Sequence, residues 1–277
     1  MQADMDYVEA FAALDWQIEL GATEAIGDEP LNRYEETPEA AKPAAKAAPA
    51  IVRAPAPEGT PIAEPGGEAT LAQAVQAAQA MAAAAGDLTS LREAMAGYEY
   101  CDLKKGARNL VFADGQPGAR LMIIGEAPGR DEDIAGKPFV GRAGQLLDRM
   151  LAAIGMARDQ DGDGAVYIAN VLPWRPPQNR DPNADEIAML LPFLKRHVEL
   201  AGPDMLLPMG NAACQALLGQ AGITRLRGNW TTALGKPALP MFHPAYLLRS
   251  PEKKREAWAD LLAVKAWLRD GGVPPGN

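Results

Sequence analysis

The chain has 277 residues and a mass of 29.4 kDa, enough for one large domain or two small ones around a sizeable core. Hydrophobic residues make up 48% and charged residues 23%, an ordinary globular balance. No apolar run reaches the roughly 18 residues that a membrane helix needs, which excludes a helical span. The two cysteines, Cys101 and Cys214, are too few for a disulfide scaffold. The first residues, MQADMDYVEAF, are acidic and lack a basic flank and an apolar stretch, so they are not read as a secretory signal. A reducing bacterial cytoplasm is the expected compartment. The net charge of −9 is unevenly spread. Residues 1–90 hold 15 acidic and 4 basic side chains, whereas residues 91–277 hold 21 acidic and 23 basic. The acidity therefore belongs to the front, and a basic groove remains open to the rest.

In chain order, Tyr7, Val8, Phe11, Leu14 and Ile18 recur at helical spacing, which predicts an acidic amphipathic helix within a segment 1–36. Between Thr37 and Gly66, 7 of 30 residues are Pro and 10 are Ala, so 37–67 reads as a flexible linker. Residues 68–85 are Ala-rich with no Pro or Gly, and the Asp87-Leu88-Thr89-Ser90 turn offers a cap for a second helix, giving a helical lead-in over 68–97. From residue 98 to 270 the pattern changes to short apolar strands alternating with helices. Strands are expected at 121–124, 166–171, 205–209 and, more weakly, 238–242. Helices are expected at 144–154, 184–201, 212–218 and 252–269. Alternation of this kind implies a parallel sheet between two layers of helices, with ligands at the carboxyl ends of the strands. Residues 271–277 are left as a disordered tail.

Four places carry chemistry. After the first strand comes GEAPGRDED, then GKPFVGRAGQLLD, a Gly/Pro-rich loop that brings backbone N–H groups, carboxylates and Phe139 together. Asn170 ends the second strand, and a buried amide there can read the edge of a nucleobase. Gly210 and Asn211 end the third strand and open a helix whose N-terminus suits a phosphate. His243 ends the fourth, within HPAYLLR, where it can donate to a developing anion. The other histidine, His197, stands in a Lys195-Arg196-His197 run and is expected on the surface. The P-loop, GxGxxG, HExxH, paired CxxC and GxSxG patterns are absent from the sequence.

Together GEAPGRDED, GKPFVGRAGQLLD, the Asn of VYIANV, RPPQNR and HPAYLLR resemble the family 4 uracil-DNA glycosylases, over about Tyr98 to Leu268. The resemblance implies a three-layer α/β/α sandwich on a central four-stranded parallel sheet. It implies hydrolytic removal of a flipped-out uracil from DNA, leaving an abasic site, by a monofunctional enzyme of base excision repair. By position, Phe139 corresponds to the aromatic that stacks on uracil, Asn170 to the amide that reads its O4/N3 edge, and His243 to the donor to O2. Glu126 and Ala127 lie beside the sugar, with Glu132 a second acidic candidate. Gly210, Asn211 and Arg180 are expected on the DNA, and Leu247, Leu248 and Arg249 in the loop that enters the duplex. Two other readings share these motifs: a catalytically silent DNA-binding scaffold, and a glycosylase for a different deaminated base.

The resemblance also implies a 4Fe–4S cluster held by four cysteines. The matching positions here are Tyr98, Cys101, Trp174 and Leu190, and only Cys101 is a cysteine. No cluster and no other metal is expected, the three replacements filling its space with apolar packing. A monomer is expected. The acidic front segment, which would repel DNA, is expected to be a regulatory or partner-binding tail, one that meets another protein, or else to be dispensable.

Overall fold

A computed structural model describes residues 70–271. The expectations for the segment 1–36, the linker 37–67 and residues 272–277 lie outside the described residues. The lead-in is helical as the composition requires. Helix α1 (Leu71–Ala84) opens with a capping box in which Thr70 and Gln73 satisfy each other's backbone N–H groups. Helix α2 (Leu88–Gly97) opens on the Asp87 cap, completed by Ser90. Ala74, Ala78 and Ala82 line the buried face of α1 at every fourth position, so the helix lies close on the domain with little side chain in between. A single turn, α3 (Leu103–Gly106), follows.

Among the described residues six strands form one sheet: β1 (Asp114–Gly115), β2 (Leu121–Gly125), β3 (Val166–Asn170), β4 (Met205–Pro208), β5 (Thr231–Ala233) and β6 (Lys236–Ala238). Their order is β1-β3-β2-β4-β6-β5. The central β3-β2-β4-β6 set is parallel, as expected. Two short antiparallel edge strands, β1 and β5, are added to the expected four. The fourth parallel strand also lies earlier than expected, at 236–238. Its ladder continues past the strand through Leu239 N–H to Leu206 O (3.1 Å), Met241 N–H to Pro208 O (3.0 Å) and Gly210 N–H to Met241 O (3.0 Å), and Pro208, which has no N–H, returns no bond to Leu239.

Helices cover both faces. They are α4 (Arg130–Ala135), α5 (Arg142–Ala153), α6 (Ala184–Ala201), α7 (Gly210–Leu218), α8 (Ile223–Leu226), α9 (Pro244–Arg249) and α10 (Lys254–Arg269). Strand alternation divides the core. Leu121 and Ile123 pack with Leu147 and Leu151 of α5 and Leu261 and Val264 of α10. Met122 and Ile124 pack on the other side with Leu190, Phe193 and Val198 of α6 and the alanines of α1. All four β2 side chains are fully buried, at roughly 1.5–3 kcal/mol each. Among the described residues no helix is long and apolar enough to cross a membrane.

His197 corrects the surface expectation. It is 1% exposed, stacks on Phe112 with ring centroids 4.3 Å apart, and shares a 2.9 Å hydrogen bond with the Tyr167 hydroxyl. Its charged neighbours mislead. On α6 it falls three positions after Leu194 and one before Val198, on the inward face. Burial pushes its pKa down to about 4, from an ordinary value of about 6.5. The unfolded chain therefore takes up a proton at this residue between those pH values and the folded chain does not. Folding stability is expected to fall as pH drops from about 6.5 to about 4, by roughly 3 kcal/mol from this residue. Urea unfolding across that range checks it: His197→Gln should flatten the slope, and an unchanged slope would refute the assignment.

Candidate active site

The site grows out of the carboxyl ends of the parallel strands. Gly125 and Asn170 are register partners at the ends of β2 and β3. The chains stay paired beyond the strands, through Val171 N–H to Gly125 O and Leu172 N–H to Glu126 O, both 3.0 Å. Asn170 is thus fixed at its backbone, 8% exposed, with no hydrogen bond to its side-chain amide among the described residues. Phe139, 5% exposed, comes from the turn before α5, and its ring edge also approaches Gly125. A Cβ on Gly125 would lie 2.4 Å from Asn170 Oδ1 and 2.6 Å from two Phe139 ring carbons. Glycine there is what lets the amide and the ring share one floor.

His243 closes the wall. Its ring lies 5.2 Å from that of Phe139, tilted by 28°. Its backbone is extended and its side chain caps α9: Ala245 N–H donates to Nδ1 at 3.2 Å. With Nδ1 accepting, the neutral ring carries its proton on Nε2. Desolvation, aided by the Arg249 cation, pushes the His243 pKa down to about 4, so the ring is neutral at pH 7. Gly210 packs against its Cβ, and a side chain at Gly210 would come within 3.2 Å of it.

The two acidic candidates part company. Both oxygens of Glu132 are taken by backbone donors: Oε1 accepts from Val140 N–H (3.0 Å) and Gly141 N–H (2.9 Å), Oε2 from Gly129 N–H (3.1 Å). Glu132 staples the Gly/Pro loop to the Phe139 turn and has little left to offer a water. Glu126 has no side-chain hydrogen bond among the described residues and borders the cleft with Ala127, Pro128 and Gly129. Burial, then the neighbouring Asp181, lift its pKa above the usual glutamate value, while Arg249 works the other way.

Leu247 corrects an expected contact. Residues 244–249 form a helix, and Leu247 is fully buried against Leu146, Phe242 and Ala257. One helical turn places Leu247 over Pro244 on the inner face, away from the surface. Leu248 is half-buried and Arg249 exposed, and they remain at the surface. Gly210 also differs from expectation: its N–H donates to Met241 O at 3.0 Å and is not free for a phosphate. Asn211 Oδ1 accepts from Gly222 and Ile223 N–H, which fixes the loop before α8. Arg180 borders the cleft but pairs two-pronged with Glu186, at 2.9 and 2.5 Å. That pair ties the RPPQNR loop to α6, together with Asn183, which caps the helix.

The four cluster-equivalent positions are all buried. Tyr98, Cys101, Trp174 and Leu190 are each at most 2% exposed and belong to one apolar cluster. The Tyr98 hydroxyl donates to Ala74 O of α1 at 2.8 Å, and its ring meets Phe193 edge-on at 5.3 Å. Burial pushes the Cys101 thiol up, away from the thiolate that iron requires. One protonated thiol, a phenol, an indole and an isobutyl group do not fit a 4Fe–4S cluster. Among the described residues no group of three or more His, Cys, Asp or Glu is placed to hold a metal ion.

Residues 112–262 match the family model described as the uracil DNA glycosylase superfamily. The chain belongs to this superfamily. It is similar to the type-4 uracil-DNA glycosylase of Thermotoga maritima, 38% identical over 177 residues, which span 62% of this chain and 90% of the relative. The corresponding protein of Archaeoglobus fulgidus is 39% identical over 173 residues, 59% of this chain and 84% of the relative. That of Sulfurisphaera tokodaii is 35% identical over 188 residues, 64% and 83%. Against a uracil-DNA glycosylase site, the structure brings together Glu126, Ala127, Phe139, Asn170 and His243, all named from sequence. Sequence reasoning missed Gly125 as the floor, Asp181 facing Glu126, and Tyr246 on the cleft wall. Only Gly125 left a signal, as the glycine that ends a buried strand.

Proposed function

We propose that this protein is a uracil-DNA glycosylase of base excision repair, hydrolysing the bond between uracil and deoxyribose to leave an abasic site. The observation that carries the reading is the unpartnered Asn170 amide pressed beside Phe139 over Gly125, with the His243 donor in the same wall. A base in a duplex is out of reach and must be extruded, at a few kcal/mol. Once extruded, uracil stacks on Phe139. The Asn170 amide donates to O4 and accepts from N3–H. Cytosine presents the reverse order at those two atoms and leaves the amide mispaired, which rejects it.

As the glycosidic bond breaks, its electron pair moves onto uracil and positive charge grows on the sugar. His243 Nε2–H donates to O2 and stabilises the first charge from a preorganised position. Glu126, without a side-chain partner among the described residues, stabilises the second and orients the water that adds to C1′, taking its proton. Arg249 and Leu248, at the outer face of α9, meet the DNA. Arg249 answers phosphate charge, so affinity should weaken with salt. The protein works as a monomer in the bacterial cytoplasm, without a cluster, and the acidic front segment serves a protein partner.

The test is purified protein on a uracil-containing oligonucleotide, followed by alkali, with an absorbance scan near 400 nm. Strand cleavage by a colourless sample is the expected result. A brown sample would overturn the cluster-free reading alone. Binding without cleavage would favour a silent scaffold, and cleavage only at another deaminated base would change the substrate.

A further inference from the structure

Phe139 stands in an unfavourable backbone conformation. Its φ is 54°, in the left-handed region that side chains other than glycine seldom adopt. Such a residue persists only where its surroundings over-determine it. Helix α5 comes so close behind it that a Cβ on Gly144 would fall 1.8 Å from the Phe139 carbonyl oxygen. Glu132 holds the N–H groups that follow. The carbonyls are held by a residue outside the cleft. Arg158, in the loop after α5, donates from Nη1 to Pro138 O at 3.0 Å and from Nη2 to Phe139 O at 2.9 Å.

The rest of that guanidinium is equally committed. Nη1 also donates to Asp114 Oδ2 (2.9 Å), while Nη2 and Nε donate to Asp148 Oδ1 (2.8 and 3.0 Å). All five N–H donors of the side chain are used, in a fork geometry that lysine cannot copy. The side chain is 16% exposed, and Lys137 reinforces Asp114 at 3.2 Å. The grip thus runs from β1 and α5 through Arg158 to the backbone of Phe139. Its aromatic ring is the platform of the site.

We propose that Arg158 is a positioning residue that sets the angle and depth of the Phe139 ring, and through it the stacking of the extruded base. The link to uracil rests on the excision reading above, whereas the link to Phe139 does not. The test compares Arg158→Met, Arg158→Lys and Asp148→Asn with the parent protein. Four quantities are read: single-turnover excision, inhibition by free uracil, affinity for abasic-site DNA, and the 19F resonance of Phe139 in protein carrying fluorophenylalanine. The resonance is identified by its loss in Phe139→Leu.

Arg158→Met should slow excision by about tenfold to a hundredfold, as expected for a small misplacement of a positioning group. It should weaken uracil inhibition, leave abasic-DNA affinity unchanged, and shift or broaden the Phe139 resonance. Arg158→Lys, able to reach one carbonyl, should rescue part of each. Asp148→Asn keeps both carbonyl bonds and should lower thermal stability without moving the resonance. A folded Arg158→Met with the parent resonance and parent uracil inhibition overturns the proposal. If that variant does not fold, the same two readings on Arg158→Lys decide. If the parent removes no uracil, the excision reading fails, and the Phe139 resonance still judges Arg158.

Discussion

Replacing Gly125 by alanine is expected to lower uracil excision by about a hundredfold while leaving the protein folded. The added methyl would sit 2.4 Å from Asn170 Oδ1 and 2.6 Å from Phe139 Cε2 and Cζ, contacts that real Cβ atoms do not make. Gly125 has no positive φ, so its backbone accepts alanine, and the strain falls on the two facing side chains. Overpacking of this kind costs about 1–3 kcal/mol, which a domain with two extensive cores should survive. A displacement of about 1 Å in a reacting group can cost about a hundredfold in rate. The amide and the ring move apart together, so both recognition and stacking are lost. Single-turnover excision, free-uracil inhibition and thermal unfolding on the same sample test it. A variant with the parent rate would show that Asn170 and Phe139 do not act on one base.

The second large effect belongs to His243. His243→Ala removes the Nε2–H donor, and loss of one preorganised donor to a developing anion costs about 10²–10³ in rate. It also removes the cap of α9, worth about 1 kcal/mol. His243→Asn separates the two, because asparagine caps a helix well and does not extend to the Nε2 position. Both variants should lose the rate, and only the alanine variant should loosen α9 and weaken binding to abasic DNA. Because the imidazole stays neutral down to about pH 4, His243 should contribute no inflection to the rate near pH 6.5. An asparagine variant with the parent rate, or an inflection at that pH that His243→Asn abolishes, would sink the assignment of His243 as a neutral donor.

Much of this fold was legible because buried parallel strands are continuous apolar runs. Leu121–Ile124 and Met205–Pro208 have no polar face to confuse them. Helix α6 has the bounds expected from sequence, and its ends are sharp because Asn183 caps it and Gly202, in the left-handed region, ends it. Phe139, Asn170 and His243 were identified through resemblance; the structure sets Phe139 beside both, from a turn whose place no strand order reveals. The edge strands were hidden for a physical reason. β1 has two residues, and the β5–β6 hairpin turns through Leu234 with φ 49°, where no Asn-Gly signal stands. Glu132 and Arg158 were illegible as clamps because their partners are backbone atoms, and backbone atoms leave no trace in a sequence. His197 and Leu247 were legible in principle. Helical period places both inward, and attention to their charged or motif neighbours obscured it.

The imidazole that caps α9 is also a wall of the cleft, and this joins two tasks in one rigid piece. Helix α9 is less than two turns long, and its first residue is bonded directly to His243. The ring and the outer residues Leu248 and Arg249 are therefore joined by a few residues of backbone, so a substitution that frays this helix disturbs the donor as well as the surface.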